Sequence, residues 1–152
     1  MASKIKDKEY IVSFVLRGVQ TEQFATIDNI FKNEDTIQIQ ANIDFGVNEE
    51  SKIIGCIAKF QFEVQNQPFI IIGVKCNFEI EPKSWDSFIS AETSSITFPK
   101  DVLCHLAVIT IGTARGVLHA KTENTKFNQF FLPTVNVNNL IKESITFSLE
   151  KK

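Results

Sequence analysis

The chain has 152 residues, of which 43% are hydrophobic and 22% charged. That suits a single soluble domain with a full core and excludes a mainly disordered or collagen-like chain. Lys and Arg number 16 against 18 Asp and Glu, so the net charge is −2, which leaves no electrostatic case for nucleic acid or an anionic membrane as partner.

The aliphatic balance favours sheet. Twenty Ile and 11 Val stand against 7 Leu, with 14 Phe, and β-branched and aromatic side chains suit a pleated, half-buried surface. The three cysteines, Cys56, Cys76 and Cys104, form no Cys-x-x-Cys and read as reduced thiols in a reducing compartment. The stretch from Ile11 to Leu16 is too short for a secretory signal. The run Phe69–Val74 falls far below the ~20 apolar residues of a membrane span. A cytoplasmic protein that does not insert into membranes is expected.

Residues 1–9 read as a solvated tail. Tyr10 to Ile27 is strand-like but broken near Arg17-Gly18, and Asp28 to Asp35 is polar and loop-like. Residues 36–45 alternate, with Ile37, Ile39, Ala41, Ile43 and Phe45 on one face, as in a half-buried antiparallel strand. Gly46 to Ser51 reads as a turn. Residues 53–64 and 69–80 form the next pair. The first has Ile54, Cys56, Ala58, Phe60, Phe62 and Val64 on one face, and the second has Ile70, Ile72, Val74, Cys76, Phe78 and Ile80. Pairing Val64 with Ile70 sets Cys76 opposite Ala58 and leaves a loop over 65–69 that contains Pro68, where no ladder N–H is needed.

Pro82 ends the last strand, and a short helical turn is expected around Trp85 to Ile89. Pro99 and Asp101 suit the start of a helix over 100–115, with a buried strand as the competing reading. Val102 to Ala114 is apolar almost all round, so the helix needs a partner on more than one side. The sheet supplies one, and a second copy of the chain is the natural other. Arg115-Gly116 reads as the helix stop and Leu118 to Asn128 as a polar linker. Asn136 or Asn138 is placed to cap a final short helix through Ile145.

Few residues suggest chemistry. Cys56 and Cys76 fall on the dry face as small core residues. Cys104 and His105 are neighbours that point apart on a helix, and no zinc spacing is present. Nothing orients Cys104 and His119 as a nucleophile and base, and Glu49-Glu50 sits in a turn. There is no phosphate loop. No catalytic residue, metal or cofactor is therefore predicted. The feature that stands out is Phe130-Phe131-Leu132-Pro133 with Val135 and Val137. It reads either as a loop tucked into the core or as an apolar groove for another chain.

Three segments resemble the SecB family of protein-export chaperones: Thr97-Phe98-Pro99, the apolar helix ending in Ala114-Arg115-Gly116, and Leu132-Pro133-Thr134-Val135-Asn136-Val137-Asn138-Asn139-Leu140. In that family a Phe-Pro opens the first long helix, an Arg-Gly closes it and a Leu-x-Pro-Val-Asn-Phe-type segment leads into the second. The motifs span roughly residues 97–140, and the N-terminal half matches in pattern alone. Pattern and resemblance together predict one α+β domain over 1–152. It has a four-stranded antiparallel sheet with one wet face, then a long helix and a short C-terminal helix.

The resemblance implies an ATP-independent holdase without enzymatic activity. It would bind unfolded polypeptides or preproteins along apolar grooves, as a homotetramer built as a dimer of dimers. Phe98, Phe130, Phe131, Leu132 and Val135 are the expected groove residues, lining it or supporting it. In the export branch the family docks the SecA motor through acids on the outer sheet face. Glu22 matches one such position, whereas Ile72-Gly73 stands where a second acid belongs. The segment from Gly116 to Leu132 is longer than in the export chaperone, and Lys151-Lys152 stands in place of an acidic tail. Two alternatives accompany this reading. One is a SecB-like chaperone dedicated to one partner such as an antitoxin. The other is a β domain that binds a small apolar ligand on its dry face.

Overall fold

The alternation in the first half of the chain builds a sheet with one dry and one wet face. A computed structural model describes residues 12–150. The predicted tail over 1–9, the first two residues of the predicted strand and the two terminal lysines lie outside the described residues. The fold is α+β. Four antiparallel strands, β1 (Phe14–Thr26), β2 (Gln38–Asn48), β3 (Ile53–Val64) and β4 (Gln67–Ile80), lie in the order β1-β4-β3-β2. Cross-strand rows run from edge to edge on the dry face. One row is Val19, Cys76, Cys56 and Phe45, and another is Thr26, Ile70, Phe62 and Ile39.

The predicted break in β1 is a β-bulge. Arg17 has no partner on β4, because Leu16 pairs with Phe78 and Gly18 with Asn77. A second bulge at Glu22 lies between Thr21, paired with Val74, and Gln23, paired with Gly73. Each bulge inserts one residue and so keeps Leu16, Val19 and Phe24 on one face despite their uneven spacing.

The register predicted for β3 and β4 is corrected by two residues. Cys56 faces Cys76 and Phe62 faces Ile70. The hairpin turn is only Gln65-Asn66, with φ of 49° and 65°, the positive-φ pair of a type I′ turn. Pro68 lies in β4 and not in the loop. It faces Glu63, where the register shifts, and the irregularity accommodates a residue without an N–H.

After β4, Pro82 opens α1 (Pro82–Ser87). Two short strands, β5 (Ile89–Ser90) and β6 (Ser95–Phe98), then join a C-terminal strand, β7 (Ile145–Ser148), in a second sheet of order β5-β6-β7. This sheet was not predicted. The stretch expected to close a final helix through Ile145 begins β7 instead, and the helix is a single turn, α3 (Val137–Leu140). Asn136 caps it by accepting from the Asn138 N–H at 3.1 Å.

The long helix, α2 (Lys100–Thr122), does not stop at Gly116. Ala114, Leu118 and Thr122 continue its buried face for two further turns, and that packing overrides the helix-breaking tendency of one exposed glycine. Pro99 takes the N-cap position. α2 packs chiefly on β3 and β4. Leu103, Leu106 and Ala107 cluster with Cys56 and Cys76, while Ile111, Ala114 and Leu118 cluster with Ala58 and Val74. By length and composition α2 could cross a bilayer, a feature missed when runs alone are counted. In this fold its apolar side is occupied by the sheet.

Candidate functional site

Because α2 covers the middle of the sheet, the dry faces of the two outer strands are left at its sides. On β3 and β4 the dry side chains are fully or nearly fully buried, whereas Val19 and Leu16 on β1 are 46% and 42% exposed. On β2, Ile39 is 38% exposed, and Ala41, Ile43, Phe45 and Val47 are half-buried. The helix therefore covers the middle of the dry face, the surface considered above for a small apolar ligand. It leaves two apolar margins.

The margin along β2 leads toward the segment that follows α2. A 3₁₀ turn at Lys126–Gln129 opens with Thr125, whose side chain accepts from the Phe127 N–H. The chain then runs without regular structure to α3. Phe130 packs into a cluster of rings, with centroids 4.9 Å from Phe31, 5.1 Å from Phe69 and 6.0 Å from Phe62. Phe62 is the cross-strand neighbour of Ile39, so these rings join the segment to the β2 margin. Leu132 is buried and Val135 half-buried in the same apolar cluster. Arg115 fixes the turn of the chain by donating to the Leu132 carbonyl at 3.3 Å and the Pro133 carbonyl at 3.1 Å. The residue read as a helix stop is thus a clamp on the connector.

Phe131 points the other way. It is 58% exposed, and its ring stacks on His119 with a centroid distance of 6.4 Å and an interplanar angle of 16°. His119 is itself held in place, with Nε2 3.3 Å from Glu123 Oε1. Asn128 Nδ2 donates to the His119 carbonyl at 3.1 Å.

The other predicted residues separate. Phe98 is fully buried between Trp85, Phe88 and Phe147. It supports the smaller sheet and belongs to a different apolar cluster from Phe130, Leu132 and Val135. Glu22 is exposed in the second bulge of β1. Sequence reasoning missed the β2 margin as part of the site, although the alternation over 36–45 marked its face. On the outer side of α2, the side expected to need a further partner, Val108 is 55% exposed and Gly112 and Gly116 stand in open space.

Burial disfavours the thiolate at two of the three cysteines. Burial pushes Cys56 up to about 12, with the neighbouring Cys76 and Asp44 adding to the rise and a hydrogen bond from Thr110 opposing it. Cys104 is also raised, first by burial. A thiol held protonated is a poor nucleophile. Among the described residues no group of three His, Cys, Asp or Glu side chains is placed to hold a metal. Concavities of about 270, 400 and 620 Å³ lie over the outer sheet face and at the end of the sheet where β4 finishes. None of them includes a predicted groove residue.

No family model matches the chain, and no curated protein matches it. Among solved structures it is similar to a protein of unknown function from Streptococcus agalactiae. The identity is 13% over 82% of this chain and 100% of that one, with a TM-score of 0.30, a likeness that carries no functional argument.

Proposed function

We propose that this protein is a nucleotide-independent holdase of the SecB-like kind, binding non-native polypeptides on apolar surface and acting in the cytoplasm. The observation that carries this reading is the β2 margin. A row of half-buried apolar side chains there leads through Phe62 and Phe130 to the exposed ring of Phe131. Such surface is weakly directional, and at about 25 cal/mol per Å² a few hundred Å² of it binds reversibly once ordering costs are subtracted. Self-association as a homotetramer belongs to the same reading. Val108 and the open notches at Gly112 and Gly116 give α2 an outer side that a second copy can cover. Glu22, exposed on β1, is the candidate for docking a partner such as SecA.

The test is whether the purified protein, without nucleotide, stops a chemically unfolded protein from aggregating at near-stoichiometric ratio. The mass of the complex is read alongside. Suppression by a particle of about four subunits is expected. Phe131→Ser should weaken client binding without changing that mass. A well-folded tetramer that suppresses nothing but brings down one small protein would show a dedicated partner instead. A monomer that suppresses nothing would remove the proposal.

A further inference from the structure

A sheet edge presents unpaired N–H and C=O groups, and proteins normally guard such an edge with bulges, prolines or lysines. β2 carries none of these guards. It pairs with β3 from Gln38 to Asn48 without a register shift, and its sequence contains no Pro, Lys or Arg. Every second residue of an antiparallel strand aims its backbone groups away from the partner strand. Among the described residues, β3 is the only strand beside β2, and no backbone hydrogen bond from a loop or turn reaches residues 38–48.

The two faces of this edge differ. Ile39, Ala41, Ile43, Phe45 and Val47 line the dry side, and Gln38, Gln40, Asn42 and Asp44 the wet side. From Thr36 to Glu50 the chain holds three acids, Asp44, Glu49 and Glu50, and no Lys or Arg. A strand added here must be extended, apolar on one side and polar or cationic on the other. In a full-length antiparallel pairing with a second copy's β2, Asp44 would face Asn42 and the two Asp44 side chains would be diagonal neighbours on one face, with no Lys or Arg in either strand to offset them.

We propose that β2 is a strand-addition site: it captures an extended segment of a partner polypeptide in which apolar residues alternate with polar ones that include Lys or Arg. Main-chain hydrogen bonds hold the segment in line, and the dry face of β2 receives its apolar side chains. The inference rests on the holdase reading and specifies how that surface takes its client. Backbone bonding would let one site accept many sequences, which pockets for particular side chains would not.

The probe is a decapeptide of alternating Val and Lys. Its twin has the same side chains but is N-methylated at alternate Val and alternate Lys residues, so that neither backbone edge can complete a ladder. The parent peptide is expected to bind and to slow hydrogen exchange within residues 38–48 and not within β1. The twin is expected to bind at least about tenfold more weakly, the loss of a few net hydrogen bonds. Gln40→Lys with Asn42→Lys, both at exposed positions, should weaken the parent by a similar factor while circular dichroism stays unchanged.

Equal binding of parent and twin would overturn strand addition in favour of side-chain contact alone. Slowed exchange in β1 would place the site on the wrong edge. Concentration-dependent protection of β2 without peptide would show a second copy there. Suppression of aggregation with no peptide binding would overturn this inference and leave the holdase intact. Neither suppression nor binding would remove both.

Discussion

The two edges of the four-stranded sheet are made of similar material and differ in backbone. On the dry face, Leu16 and Val19 of β1 are more exposed than Ile39 of β2. Exposure alone would therefore mark β1 as the adhesive edge. Yet β1 is bulged twice, at Arg17 and Glu22, so its ladder is broken and a charged residue stands at each break. Bulges bend a strand and increase its twist, which spoils it as a template. β2 runs straight through 11 residues with its register intact. The difference shows that readiness to take on another chain is a property of strand regularity and not only of apolar area.

The comparison is sharpest where the β2 side is anchored. Phe130 touches Phe31, Phe62 and Phe69, whereas the neighbouring ring of Phe131 leans only on His119 among its aromatic contacts. Phe130→Ala should cost about 2–4 kcal/mol of stability. Phe131→Ala should change it by no more than about 0.5 kcal/mol. Urea unfolding of the two variants checks this. Equal losses would mean that both rings are structural and that the margin has no free aromatic.

The next effect lies midway between the edges, in the row from Val19 through Cys76 and Cys56 to Phe45. The unfolded Cys56 thiol ionises near 9.0 and the folded one near about 12. Below pH 9 both states keep the proton. As pH rises from 9 toward 12 the unfolded state loses it and the folded state does not. Stability should then fall by up to about 1.4 kcal/mol per pH unit on account of this group. Cys56→Ala should remove that part of the slope. Denaturation curves of the variant and the parent between pH 8 and pH 11 would have to diverge; parallel curves would show that Cys56 does not titrate on unfolding.

How much of this was legible in the sequence depends on the kind of signal. The dry faces of β2, β3 and β4 were, because a period of two survives wherever one face is buried. The register of β3 on β4 was not, because Pro68 looks like a loop residue until the bulge opposite Glu63 is seen. Gly116 looks like a helix stop, but whether a glycine ends a helix depends on what lies beyond it, here Leu118 and Thr122 against the core. β5, β6 and β7 have two to four residues each, too few to show a period. Of the expected site, Phe131 and Val135 stayed at or near the surface, while Phe98 and Leu132 went into the core. Apolar residues in a line do not announce which of them the fold will cover.

Arg115 tests whether the connector is held or merely rests there. Its guanidinium donates to the carbonyls of Leu132 and Pro133 from a partly exposed position, so Arg115→Ala should cost about 1 kcal/mol. Hydrogen exchange should quicken over residues 130–137 and stay unchanged in β3 and β4. Global loosening would mean that Arg115 supports the whole core, and no local change would mean that the rings alone fix the connector.

The smallest effect on stability gives the most direct test of the two edges. Removing Arg17 joins Leu16 to Gly18, whose partners Phe78 and Asn77 are already consecutive, and removing Glu22 joins Thr21 to Gln23 opposite Val74 and Gly73. The double deletion therefore preserves every other pair and turns β1 into an unbroken edge. It also removes the Arg17–Glu79 ion pair, whose members are 58% and 42% exposed and which contributes little. Stability should move by no more than about 1 kcal/mol, but the deletion variant should associate beyond the parent's mass as its concentration rises, because Leu16 and Val19 would then stand beside a continuous ladder of free backbone groups. If sedimentation finds the same mass for parent and deletion variant at every concentration, the bulges are not what keeps β1 unpaired, and the contrast between the edges must rest on side chains instead.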